Sequence, residues 1–142
     1  MDNLLTVSLT PIGEKVKFSA TARENPELVI DYFPPVGTGE GYTSLELLMA
    51  SFGSCLSTSV LTLLRYRMKK QVESLSAEVF GTVREEHPKA LSRILVRLKL
   101  RSAELTPEEV RQAVKAAEEG ICPVWAMMKG NVEVEVETEI VG

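Results

Sequence analysis

The chain has 142 residues, 44% of them hydrophobic and 25% charged, with a formal net charge of −4. That is enough chain to bury one core without staples, and it is too apolar to stay disordered. The slight acidity leaves no basic footprint for nucleic acid. There are two cysteines, and the opening MDNLLTVSLT has neither a basic segment nor a long apolar run. Both features point to a reducing, cytoplasmic setting, where a thiol pair is catalytic or redox-active sooner than structural.

In chain order, residues 4–9 and 15–22 read as a hairpin turning at Pro11-Ile12-Gly13-Glu14, with Val16, Phe18, Ala20 and Ala22 alternating with polar neighbours. Residues 28–33 form a third strand, followed by Pro34-Pro35 and VGTGEGY. GTGEG lacks the Lys-Ser/Thr ending of a phosphate loop and does not directly follow a strand, so it reads as a flexible connector.

Residues 43–70 then read as one helix. Thr43 and Glu46 make a capping box. Leu45, Leu48, Met49, Phe52, Leu56, Val60, Leu61, Leu63 and Leu64 recur at helical spacing. Arg65, Arg67, Lys69 and Lys70 place positive charge where the helix dipole favours it. At 1.5 Å per residue the helix is roughly 40 Å long, long enough to be the spine of the core. Its middle is bare: Ala50, Ser54 and Thr58 share one stripe, and Gly53 and Ser57 another. Such residues cost helix propensity, and close approach of another backbone, a second helix, would compensate. The stretch is nearly long enough to span a membrane, but Glu46 and its many Ser, Thr and Gly positions keep it only weakly apolar.

Beyond the helix, residues 77–85 and 92–103 form a second hairpin across HPKAL, and residues 131–140 a last strand. Ile94, Val96, Leu98 and Leu100 share one face, with Arg93, Arg97, Lys99 and Arg101 on the other. Pairing with the last strand, which alternates Val132, Val134 and Val136 with Glu133, Glu135, Glu137 and Glu139, would set a basic row against an acidic one. Between these strands Thr106-Pro107-Glu108-Glu109 is a second capping box, its helix running to about Glu119 and stopping at Gly120. Cys122-Pro123 opens a short helix closed by Gly130. The pattern is an α+β fold of antiparallel strands with a long central helix, a single domain over residues 1–142.

Cys122 sits at an N-cap-like position, where free N–H groups and the positive helix end lower a thiol's pKa. Cys55 lies among small residues that leave room for a reactant. Buried unpaired cysteines are also commonly inert, so composition alone leaves both readings open. His87 is the only histidine and sits before Pro88 in a turn, which excludes a Ser–His–Asp system in practice. No CxxC or HxxxH spacing supports a metal site, and no motif calls for a cofactor.

LELLMASFGSCLSTSVL together with a distant CPVWAMM resembles the osmotically inducible protein/organic hydroperoxide resistance family (OsmC/Ohr), and the likeness extends through SATARENPELVI and the glycine-rich loop. Ser44 stands where that family usually has proline, and Glu46 falls one position after its usual glutamate, a pattern closer to the OsmC-like branch. The resemblance implies an intertwined homodimer with active sites at the subunit interface, acting as a thiol peroxidase on organic hydroperoxides. By motif, Cys55 corresponds to the peroxidatic cysteine and Cys122 to the resolving one, with an external dithiol as reductant. Glu46 matches the carboxylate at the helix entrance and Arg23 the arginine that holds the thiolate. Phe52, Trp125 and Met127 are candidates for the apolar substrate wall. The competing reading is a non-catalytic dimeric binding protein that holds a small apolar ligand in the same cleft.

Overall fold

A computed structural model describes residues 3–142. Its elements are β1 (Ser8–Ile12), β2 (Lys17–Thr21), β3 (Leu28–Ile30), α1 (Ser44–Thr62), β4 (Ser74–Val83), β5 (Leu91–Arg101), α2 (Pro107–Ala116), α3 (Pro123–Met128) and β6 (Glu133–Val141). The chain divides into two compact units, one ending at Leu47 and one running from Leu48 to Gly142.

The first unit is a three-stranded antiparallel sheet in the order β1-β2-β3. The hairpin turns further along the chain than Pro11–Glu14. Gly13, at φ 72°, starts the reversal, so Pro11 lies inside β1 opposite Phe18. Proline is tolerated there because β1 is an edge strand and need not donate from that position. Leu4, Leu5 and Val7 precede the strand and are exposed.

The glycine-rich stretch is built rather than loose. Buried Asp31 accepts hydrogen bonds from the backbone of Tyr32 (2.8 Å), Thr38 (3.1 Å) and Glu40 (3.2 Å), and from the Thr38 hydroxyl. Gly37 passes so close to the Tyr32 carbonyl and the Asp31 carboxylate that a β-carbon would not fit. These contacts hold the Asp31 carboxyl at about 2, the Thr38 hydroxyl being the largest cause. Tyr42 then pairs with Ile30 and delivers the chain to α1.

The capping box at α1 forms as the sequence requires: Thr43 N donates to Glu46 at 2.8 Å and Glu46 N to the Thr43 hydroxyl at 3.2 Å. The helix continues through a π turn, Leu63–Arg67, and ends at Met68, short of Lys70. Lys69, at φ 59°, turns the chain away. The helical run Ser44–Arg67 has the length and composition of a membrane span. Its apolar side chains Phe52, Leu56, Val60, Leu63 and Leu64 are nonetheless buried in the core.

The second unit carries a sheet in the order β4-β5-β6. Ile94, Val96, Leu98 and Leu100 of β5 are buried. On the other face Arg93 pairs with Glu135, and Arg97 with Glu137 at 2.9 Å. The basic-against-acidic pairing is therefore present, but β5 and β6 run parallel, so this sheet is mixed. Alternation cannot tell the two directions apart. The helices between the strands can, since parallel neighbours need a crossover of this kind.

Gly53 faces β4, not a second helix. A β-carbon there would lie 2.8 Å from Val79 Cγ2. The second capping box also forms, Thr106 N donating to Glu109 at 2.9 Å and Glu109 N to the Thr106 hydroxyl at 3.2 Å. Gly120 does not end that helical run. It lies inside a π turn, Ala117–Ile121, that hands the chain directly to Cys122.

Candidate functional site

Cys55 and Cys122 meet within the second unit of one chain. Cys55 stands in the fourth turn of α1, between Phe52 and Leu56, both fully buried. Cys122 is placed by the π turn, its N–H donating to the Ala117 carbonyl at 2.9 Å, and by Pro123, which starts α3. Phe52 and Trp125 lock the two helices with an edge-to-face contact, 5.4 Å between centroids. The outcome is a Cys122 Sγ–H directed at Cys55 Sγ across 3.2 Å, both cysteines being free thiols. Disulfide formation asks only for about another 1.2 Å of approach.

The two sulfurs differ in access. Cys122 is 2% exposed, while Cys55 is half-buried and opens on a cleft of about 380 Å³ lined by Ser54, Thr58, Ser59, Thr62, Ile121 and Pro123. Ser59 and Ser54 donate their hydroxyls back into the helix, to the carbonyls of Cys55 (2.9 Å) and Ser51 (3.1 Å). With those groups spent, the cleft wall is less polar than its residue names imply. Cys55, Thr58, Ser59 and Thr62 follow one another at helical spacing, so the sequence carried the signal for this wall.

The helix start does not acidify Cys122. Burial pushes its thiol up, and the neighbouring Cys55 sulfur pushes the same way, outweighing the amides of Trp125 and Val124 that pull it down. A helix of six residues supplies too small a dipole to reverse this. Cys122 therefore holds its proton at neutral pH and offers it to Cys55.

The other sequence candidates are distributed differently. Phe52 is fully buried and Trp125 is 5% exposed, so both belong to the core, whereas Met127 is 73% exposed. None of the three lines the cleft at Cys55. Arg23 belongs to the first unit, exposed on a turn after β2 with a left-handed backbone, φ 56°. Glu46, in the same unit, caps α1 and borders a shallow hollow with Val29, Glu40 and Tyr42. No group of three or more metal-ligating side chains occurs among the described residues.

A long helix in an α+β frame presents one accessible and one shielded thiol in contact, the arrangement of a two-cysteine site. The family model for OsmC-like protein matches residues 37–137, and the chain belongs to that family. Solved structures agree on the fold. A hypothetical protein from Aquifex aeolicus VF5 shares 24% identity at a TM-score of 0.84, with 99% of this chain and 98% of that one covered. An OsmC-like protein from Mycoplasma pneumoniae shares 16% identity at 0.83, with both chains covered in full (100% and 100%). The organic hydroperoxide resistance protein OhrB of Bacillus subtilis shares 20% identity at 0.65, with 96% and 98% covered. No curated protein matches the chain.

Proposed function

We propose that the chain is a cysteine-based peroxidase that reduces organic hydroperoxides and is recycled by an external dithiol. The observation that carries this reading is the 3.2 Å separation of a cleft-facing Cys55 sulfur and a shielded Cys122 sulfur. Membership of a family with hydroperoxide resistance proteins among its structural relatives supports it.

In the proposed cycle the Cys55 thiolate attacks the distal peroxide oxygen. The O–O bond breaks, the alkoxide leaves with a proton as alcohol, and Cys55 becomes a sulfenic acid. Cys122 then attacks the Cys55 sulfur, its proton and the hydroxyl leaving as water, and a Cys55–Cys122 disulfide forms. The dithiol reduces that bond and departs as its own disulfide. Arg23 is assigned to stabilise the Cys55 thiolate and Glu46 to orient Arg23. Phe52, Trp125 and Met127 are assigned to the apolar surroundings of the substrate. The reading extends to a single functional domain, a homodimer of intertwined subunits and a cytoplasmic location.

The test is to treat the reduced protein with one equivalent of cumene hydroperoxide and to count thiols. The peroxidase reading requires loss of both thiols with a mass decrease of two hydrogens. Unchanged thiols would leave the non-catalytic binding reading in its place.

A further inference from the structure

We propose that the reductant attacks the Cys55 sulfur of the oxidised pair and expels Cys122, so that Cys55 carries both the sulfenic acid and the later mixed disulfide. This rests on the cycle proposed above but concerns a different step, the choice of sulfur during reduction. Thiol–disulfide exchange needs a thiolate approaching along the S–S axis, from the side opposite the leaving sulfur, and access decides which sulfur is attacked. Cys55 borders the 380 Å³ cleft, whereas Cys122 is 2% exposed and is not part of that lining. Its chain neighbours Ile121 and Pro123 form part of the cleft wall, and Ala117 (0% exposed), whose carbonyl accepts from the Cys122 amide, and Trp125 (5% exposed) are closed to solvent. An attacker in the cleft can therefore reach Cys55, but would have to displace the Ile121–Pro123 wall to reach Cys122.

The leaving side is equipped for its part. The reductant thiolate forms a bond to Cys55 Sγ as the Cys55–Cys122 bond breaks, and the electron pair leaves on Cys122. The amides of Trp125 and Val124 favour that nascent thiolate, and burial makes it take up a proton from water. The reductant's second thiolate then attacks the reductant sulfur bound to Cys55, releasing the Cys55 thiolate and the reductant's disulfide. Cys122 does not have to move out, so the Phe52–Trp125 contact survives the whole cycle. Peroxide and reductant enter through one cleft in succession.

The pair can be oxidised with diamide, which makes the test independent of peroxide chemistry. Brief exposure to glutathione, an acid quench, alkylation with N-ethylmaleimide and peptide mapping then locate each group. Glutathione on Cys55 with maleimide on Cys122 is expected, in about ten-fold or greater excess over the reverse. The reverse pattern, or an even split, overturns the assignment. Reaction with an aromatic disulfide gives a second measure that needs no intramolecular bond. Cys55 in Cys122→Ser should react about ten-fold or more faster than Cys122 in Cys55→Ser, and equal rates overturn the assignment too. Glutathione on Cys55 in a protein whose thiols ignore cumene hydroperoxide would leave this assignment standing and remove the peroxidase reading.

Discussion

Cys122 and Arg23 are the residues at which local chemistry and backbone geometry pull against each other. A thiol at a helix start is normally acidified, yet here burial wins and the proton stays. Under the proposed cycle Cys55→Ser should abolish hydroperoxide turnover, and Cys122→Ser should allow one round before sulfinic acid accumulates on Cys55, seen as a mass gain of two oxygens. Full steady-state turnover in Cys122→Ser with a dithiol would remove its resolving role. Arg23 holds φ 56°, a conformation that costs a non-glycine residue about 1 kcal/mol. Arg23→Gly should therefore keep or slightly raise the melting temperature while slowing hydroperoxide reduction by about 10²-fold, the usual effect of losing one charge-stabilising donor. Unchanged turnover would take Arg23 out of the site. Asp31 is purely structural by the same kind of reading. Its folded carboxyl ionises at about 2 against 3.8 ordinarily, so the folded state binds fewer protons. Its stabilising effect is complete above about 3.8 and is lost as the pH falls through about 2. Asp31→Asn should lower the melting temperature at pH 7, and the gap from the parent should narrow steadily below pH 4. A gap independent of pH would mean that its charge is not what holds the loop.

At the level of elements, the capping boxes show which parts of the fold can be read from residue order. Thr43–Glu46 and Thr106–Glu109 close locally, three residues apart, so their hydrogen bonds are written in the sequence. Thr106→Ala should cost about 1 kcal/mol in chemical denaturation, and less than about 0.3 kcal/mol would deny the cap its role. The charge rows of β5 and β6 were legible for the same reason, since alternation fixes the faces. The direction of β6 was not, because alternation is blind to it. Nor were the two π turns legible, as no residue type demands them. Gly53 marks the boundary between the two cases: its smallness predicted a close neighbour, but not that the neighbour would be Val79 on β4. Alanine gains about 1 kcal/mol of helix propensity over glycine, so an open site would be stabilised by Gly53→Ala. At 2.8 Å from a stiff valine methyl the substitution should instead destabilise, by about 1–3 kcal/mol. In a Val79→Ala background the same change should turn neutral or favourable, and a cost that persisted there would place the clash elsewhere. The thiol pair itself lies beyond local pattern. Its distance is set by β5, a crossover and a π turn, so only the likeness of two motifs pointed to it.

At the scale of the whole molecule, several large apolar side chains stand open to solvent. Leu5 is 94% exposed, Leu4 73%, Phe33 58%, Tyr42 56% and Val36 55%. Soluble monomers seldom leave apolar side chains this open in such number, and large open patches mark association sites. On α1 the exposed small residues Ala50 and Ser51 leave room for close approach of a second backbone, while Ser54, Thr58 and Thr62 remain the wall of the Cys55 cleft. These observations support the dimer assigned under the proposed function. Sedimentation at micromolar concentration should give twice the 15.7 kDa chain mass. Paired changes Leu5→Glu and Phe33→Glu should weaken association by about 10²-fold or more, since each sets a charge where an apolar side chain would be covered. Because both cysteines belong to one chain, the dissociated variant should still form its disulfide with diamide. Its hydroperoxide turnover separates two designs: a fall towards background would mean that the second subunit completes the pocket, whereas unchanged turnover would make each chain a self-sufficient site. A parent protein sedimenting at a single chain mass across that concentration range would remove the dimer altogether and leave those side chains needing another cover.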